Sequence, residues 1–108
     1  MMGAVGKTDA PARDEMDLVE VLQALGDPIR LQIVRILHRA DGAIACNEIP
    51  IPVTKSTGSH HLRVLREAGV VTAQVEGTRR YYTLRSDDLD DRFPGLLDSV
   101  LRASPVAH

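Results

Sequence analysis

Residues 53–84 read VTKSTGSHHLRVLREAGVVTAQVEGTRRYYTL, and this stretch decides the fold. It predicts a helix of about four turns leading directly into a two-stranded hairpin. Thr54, Ser56 and Thr57 mark the start, because their hydroxyls can accept from the free N–H groups of a first helical turn. Gly69 marks the end, since glycine best tolerates the left-handed conformation just beyond a helix. Val70 to Glu76 is then β-branched and roughly alternating. Gly77-Thr78 supplies a turn, and Arg79 to Leu84 alternates again.

At helical periodicity the first half divides into two faces. Gly58, Leu62, Leu65 and Gly69 form one stripe, the pattern of a core-facing side. Ser56, His60, Arg63 and Glu67 lie nearly opposite, with Thr57 at the edge. Small hydroxyls, an imidazole and a guanidinium hydrogen-bond to base edges and phosphates, and most are short enough to let a helix sit deep in a major groove. The outward face therefore suits double-stranded DNA better than catalysis.

Charge supports the same assignment once it is divided along the chain. The net charge of -2 over 108 residues looks unsuited to nucleic acid. Within residues 54–85, however, six Lys/Arg (Lys55, Arg63, Arg66, Arg79, Arg80, Arg85) stand against Glu67 and Glu76, giving +4. The flanking segments, 1–53 and 86–108, carry -3 each. The positive charge is thus gathered on the helix-hairpin unit, as an electrostatic footprint requires. With 44% hydrophobic residues but only three aromatics, the core must be built from Leu, Ile and Val. No apolar run approaches the roughly 20 residues that span a bilayer. A single cysteine cannot form an internal disulfide, consistent with the cytoplasm.

Outward from the central stretch, residues 1–13 are small, polar and Pro-containing and predict a flexible tail ahead of one domain over 14–102. Asp14 to Leu25 predicts a helix bearing more apolar surface than one neighbour covers. Gly26 ends it, and Asp27-Pro28 restarts the chain, Asp as N-cap and Pro at the first helical position. The helix from Pro28 to about Ala40 is apolar on most sides, with the heads of Arg30, Arg35 and Arg39 directed to solvent. Asp41-Gly42 breaks it. Ala45 to Ile49 predicts one or two helical turns stopped by Pro50 and Pro52, completing a helix-turn-helix with the 54–68 helix. Ser86-Asp87-Asp88 starts a last helix with a capping hydroxyl and two acids. Leu89, Phe93, Leu96, Leu97, Val100 and Leu101 recur at helical spacing, with a break at Phe93-Pro94 and an Asp98–Arg102 pair on the polar side. Residues 103–108 should fray.

Three segments, ALGDPIRLQIVRIL (24–37), KSTGSHHLRVLREAGVV (55–71) and EGTRRYYTLRSDDLDDRFPGLLDSVL (76–101), resemble the ArsR family of bacterial winged-helix transcriptional regulators. The resemblance runs from about Leu18 to Leu101. It implies a mainly α fold with a small β-hairpin wing, a dimeric winged helix-turn-helix paired through its first and last helices, and a palindromic operator. The recognition helix would be Ser56–Ala68, and Val71–Leu84 would be a wing against the minor groove or backbone. The DNA-binding candidates are Lys55, Ser56, Thr57, Ser59, His60, His61 and Arg63 on the helix, with Arg79 and Arg80 near the wing tip. The dimerisation candidates are Leu18, Leu22, Leu25, Phe93, Leu97 and Leu101, which exceed what a 108-residue monomer readily buries.

Two departures from the family pattern stand out. Gly58 occupies a core position where related sequences usually carry Leu or Val. Many members sense metal through thiolates beside the short helix or through His and acid pairs on the last helix. Here the first place offers only Cys46, and the last helix holds Asp87, Asp88, Asp90, Asp91 and Asp98 with no His before His108. No metal or other cofactor is therefore expected. The alternative is a nickel- or zinc-responsive regulator using an unusual site drawn from Cys46, His38, a histidine near the recognition helix or the acids of the last helix. His61 lies at the edge of the core stripe and is divided between boundary packing and a phosphate contact. Of Tyr81 and Tyr82, alternation sends one inward. No Gly-rich phosphate loop, HExxH, GxSxG or CxxC is present, so an enzyme is not expected. A winged-helix interaction module without DNA binding is the third class, disfavoured by the basic outward face.

Overall fold

Thr54 caps the central helix as its hydroxyl position requires, its Oγ1 accepting from the Thr57 N–H at 3.2 Å. In a computed structural model that describes residues 10–40 and 42–103, this helix, α3, spans Lys55–Ala68. Gly69 closes it at φ +92, where the N–H groups of Gly69 and Val70 return to the carbonyls of Arg66 and Leu65. Gly58, Leu62, Leu65 and Ala68 form its buried face.

The remaining elements wrap that face. Helix α1 is Leu18–Leu25 and α2 is Pro28–Ala40. A two-residue strand β1, Ile44–Ala45, leads through a 3₁₀ turn at Cys46–Glu48 to α3. Strands β2, Val71–Glu76, and β3, Arg79–Leu84, form the wing hairpin, which turns through Gly77 at φ +64. All three strands are antiparallel in the order β1-β3-β2, with Ala73 opposite Tyr82 and Val75 opposite Arg80. Helices α4, Ser86–Arg92, and α5, Leu96–Arg102, complete the chain. Ile33, Val34 and Leu37 of α2, Leu62 and Leu65 of α3, and Val70, Val71 and Leu89 are fully buried together. The fold is mainly helical with a small β wing, and Tyr82 is the inward member of its tyrosine pair.

Several expectations are corrected. The predicted helix Asp14–Leu25 is interrupted. Arg13–Glu15 is a 3₁₀ turn, Met16 is extended and buried, and Asp17 caps α1 by accepting from the Glu20 N–H at 3.1 Å. Burying Met16 against Gly69 requires leaving the helix there. Residues 10–13 are not a free tail, because Ala10 and Pro11 are half-buried and the Pro11 carbonyl accepts from Arg85 Nη1 at 2.6 Å. The expected short helix at Ala45–Ile49 is reduced to one 3₁₀ turn. Ala45 is taken by pairing with Tyr81, and too few residues remain before Pro50 to offset the cost of nucleating a helix. Ser86 is the first residue of α4 and not its cap; Arg85 holds the cap position without a side-chain capping bond. The assignments of residues 1–9, Asp41 and 104–108 fall outside the described residues.

Two of the three α2 arginines do not reach out to solvent. Arg30 donates from Nε to the Ala24 carbonyl at 2.7 Å and from Nη2 to that of Gln23 at 3.3 Å. Arg35 donates to the carbonyls of Leu101 at 3.3 Å and of Ala103. Each guanidinium donates to carbonyls at a helix C-terminus and complements its dipole. One helix thereby ties down the ends of both α1 and α5. The expected Asp98–Arg102 pair is present at 3.0 Å.

The dimerisation candidates also separate. Leu25 and Leu97 belong to the monomer core, at 8% and 4% exposure. The chain reverses at Pro94 and Gly95 (φ +86), which folds α5 back and brings Leu97 inward. Leu18 and Leu22 remain 44% and 46% exposed, joined by Val19, while Phe93 and Leu101 are half-buried.

The glycines at the two ends of the α3 stripe should respond oppositely to a methyl group. A Cβ at Gly58 would meet Ile51 Cδ1 at 3.4 Å and Val53 Cγ2 at 3.7 Å, ordinary contacts. Gly58→Ala should therefore stabilise by about 1 kcal/mol through helix propensity, visible as a rise in melting midpoint. At Gly69 the Cβ would fall 2.9 Å from Met16 Cγ with φ left-handed, so Gly69→Ala should lose more than about 1 kcal/mol. Thermal melts of both variants check the pair; a destabilised Gly58→Ala would show that the space is not free.

Candidate nucleic-acid interface

Beyond its cap, α3 presents polar side chains outward over more than two turns. Lys55, Ser56, Thr57, Ser59, His60 and Arg63 are all exposed, because the opposite stripe is consumed by the core. The Thr57 hydroxyl is partly committed, accepting from Thr54 Oγ1 at 3.0 Å. A helix presenting hydroxyls, an imidazole and a guanidinium on one unobstructed face offers donors and acceptors to base edges in a major groove.

His61 is placed differently from its neighbour. Its side chain is 12% exposed and lies 3.8 Å from Asp27 Oδ2, measured from Nδ1. Its Nδ1 also lies 3.2 Å from Arg30 Nη1, a distance at which that nitrogen accepts the guanidinium's hydrogen bond in the tautomer that leaves it unprotonated. His61 thus occupies the boundary position, locking α3 to the junction of α1 and α2. It sits among protein groups and not on the outward surface that carries His60.

Strand alternation separates the two wing arginines. Arg80 shares a face with Tyr82 and Val75, the face turned toward α3. Arg79 lies on the other face, where it approaches Glu48 at 3.9 Å in an exposed and therefore weak pair. Arg66, counted in the basic helix-hairpin unit but not among the DNA-binding candidates, is placed beside them. It sits on the wing-side flank of the α3 stripe, where it borders the space between α3 and β3 together with Arg63 and Arg80. Its Nε is sealed from solvent and has no acceptor among the described residues. Leaving such a donor unmade costs about 1–3 kcal/mol. Helical period places it beside Ser59, at the edge between the outward face and the buried stripe.

Cys46 is half-buried and free. Among the described residues no three His, Cys, Asp or Glu side chains gather in a metal-holding group, and no helix is long and apolar enough to cross a membrane.

Asp27 is the acid at the centre of the α1-α2-α3 junction. Burial raises its pKa, but the N–H groups of Arg30 and Ile29 and the charge of Arg30, joined by that of His61 when its ring is protonated, outweigh burial and hold it below the ordinary 3.8. A depressed carboxylate contributes stability above its unfolded value, and that contribution is lost as the pH falls through the lower folded value. Asp27→Asn keeps a capping oxygen while removing the charge. Its stability should fall less on acidification from pH 7 through 3.8 than that of the unaltered chain, as denaturant titrations at several pH values would reveal. Parallel curves would remove Asp27 from the acid response.

A family model described as a helix-turn-helix domain matches residues 25–74, from the end of α1 into β2. The chain is 30% identical to an HTH-type transcriptional regulator of Bacillus subtilis, YceK, over 81% of this chain and 89% of that one. It is 34% identical to the arsenical resistance operon repressor of the same organism, covering 73% of this chain and 72% of that protein. Among solved structures, one described as a possible transcriptional regulator for arsenical resistance superposes with a TM-score of 0.61 at 35% identity, covering 74% and 82% of the two chains. With its winged fold and outward-facing polar helix, the chain belongs to the ArsR-type family of helix-turn-helix transcriptional regulators.

Proposed function

We propose that the chain acts as a homodimer on a palindromic DNA operator, with α3 in the major groove and the wing against the backbone. The observation that carries this reading is the exposed face Ser56, Ser59, His60, Arg63 on a helix whose opposite side is locked into the core. Ser56, Thr57, His60 and Arg63 read bases; Lys55 and the wing arginines set position through phosphates. Specific duplex binding should weaken with salt at a log–log slope of about -0.9 for each phosphate neutralised. His60→Ala should change which sequences are preferred, at a cost of roughly 1–3 kcal/mol for the favoured one. Selection from random duplexes with both proteins makes the comparison; identical preferences would assign base reading elsewhere, and salt-insensitive binding would sink the proposal.

The dimer seam is supported by Leu18, Val19 and Leu22, large apolar side chains left 44–58% exposed on α1. Half-buried Phe93 and Leu101 extend the candidate surface at the other end of the chain. Two-fold pairing would set the recognition helices about 34–36 Å apart, one turn of B-form DNA. Leu22→Glu introduces a charge at an exposed site without touching the monomer core. Sedimentation should show a folded monomer with much weaker operator binding. A dimer that persists unchanged would move the seam away from α1.

A further inference from the structure

Between the wing side of α3 and the inner face of β3 runs a cleft of about 320 Å³. Arg63 and Arg66 border it from the helix and Arg80 from the strand, with Ser56 and Ser59 at the helix side and Tyr82 at its floor. No carboxylate is among its lining residues. Elsewhere the described arginines of the fold are largely spoken for. Arg30 and Arg35 cap helices, while Arg13, Arg79, Arg85 and Arg102 approach acids. Arg63, Arg66 and Arg80 enter no ion pair among the described residues; the buried Nε of Arg66 lacks an acceptor, as does that of Arg35, but Arg35 bonds carbonyls through both of its Nη groups and Arg66 has no such bond among the described residues.

Three guanidinium groups held around one concavity repel each other unless an anion joins them. Packing already restricts Arg66, so less side-chain freedom is lost when it binds, and a guanidinium fork matches two oxygens of a phosphate. The cleft opens beside His60 and Arg63, on the side of the molecule that the proposed function turns to the duplex. We infer that this cleft holds a single backbone phosphodiester of the DNA in each half-site, with Arg66 and Arg80 as its clamp. The inference rests on the DNA-binding reading and deepens it. One fixed phosphate between helix and wing sets the register of α3 along the groove, so that the base-reading side chains meet defined pairs. Arg66 and Arg80 are positioning residues, and neither reads sequence.

The test uses the full chain and the tightest duplex recovered from a random-sequence selection. Neutral methylphosphonate linkages are placed singly along each strand. One position per half-site should weaken the unaltered protein roughly ten-fold, the scale of a charge-assisted hydrogen bond. Arg80→Gln, an exposed substitution, should weaken all duplexes by a similar factor and lower the salt slope by about one. At the sensitive linkage the variant and the methylphosphonate should not add, whereas at other linkages they should. Arg66→Gln should behave likewise, and Arg66→Lys should recover part of the affinity. Arg39→Gln, far from the cleft, controls for bulk charge. Additive losses at every linkage, or an Arg80→Gln effect no larger than that of Arg39→Gln, overturn the clamp while leaving DNA binding intact. If no duplex is recovered by the unaltered protein, the functional reading fails and the phosphodiester assignment fails with it. Saturable binding of inorganic pyrophosphate would then identify the cleft as a site for a free anion.

Discussion

Burial of the α3 stripe is the constraint on which the remaining structure depends. Leu62 and Leu65 are sealed among α2, Val70 and Val71, and a helix can bury only one side of itself in so small a core. That commitment turns Ser56, Ser59, His60 and Arg63 outward as a set. It also explains Gly69, whose left-handed φ lets the chain leave the helix and enter β2 at once while Met16 packs over it. Recognition surface and core are thus two sides of one packing decision. A change that rotated α3 would lose both.

Arginine placement is the second organising feature. On α2, Arg30 and Arg35 reach to carbonyls at the C-terminal ends of α1 and α5, adding charged donors to ends that Gly26 and Ala103 already cap through their backbone N–H groups. Arg30 also meets His61, joining the end of α1, the start of α2 and the flank of α3 at one point. This junction links the helix that bears the exposed apolar side chains Leu18 and Leu22 to the helix that bears the polar outward face. Arg63, Arg66 and Arg80 are distinguished from these by having no such partner among the described residues.

Membership of the ArsR-type family fits the division of the chain into a helical frame and a wing. The wing contributes asymmetrically. On β3, side chains alternate between the α3 side and the Glu48 side, so adjacent arginines in sequence serve different surfaces. Tyr82 beneath Arg80 is buried and anchors the strand that carries the cleft's third cation.

Much was legible from sequence, because local chemistry specified it. The α3 cap at Thr54, its stop at Gly69, the hairpin turn at Gly77-Thr78 and the break before α5 each follow from a residue whose backbone or hydroxyl permits little else. The outward set Ser56, His60 and Arg63 followed from helical period alone. What remained hidden depended on partners distant in the chain. The interruption at Met16 arises because its side chain fills the space over Gly69, and the lost helix at Ala45–Ile49 arises because Ala45 pairs with Tyr81. Leu25 and Leu97 were indistinguishable from Leu22 by pattern, since periodicity reports an apolar face but not which neighbour covers it. His61 and Arg66 flank the same buried stripe on opposite sides. Sequence could put both at its edge, but only the packed structure sends one to Asp27 and Arg30 and the other to the cleft beside Arg80, because the neighbours on those two sides come from elements far away in sequence.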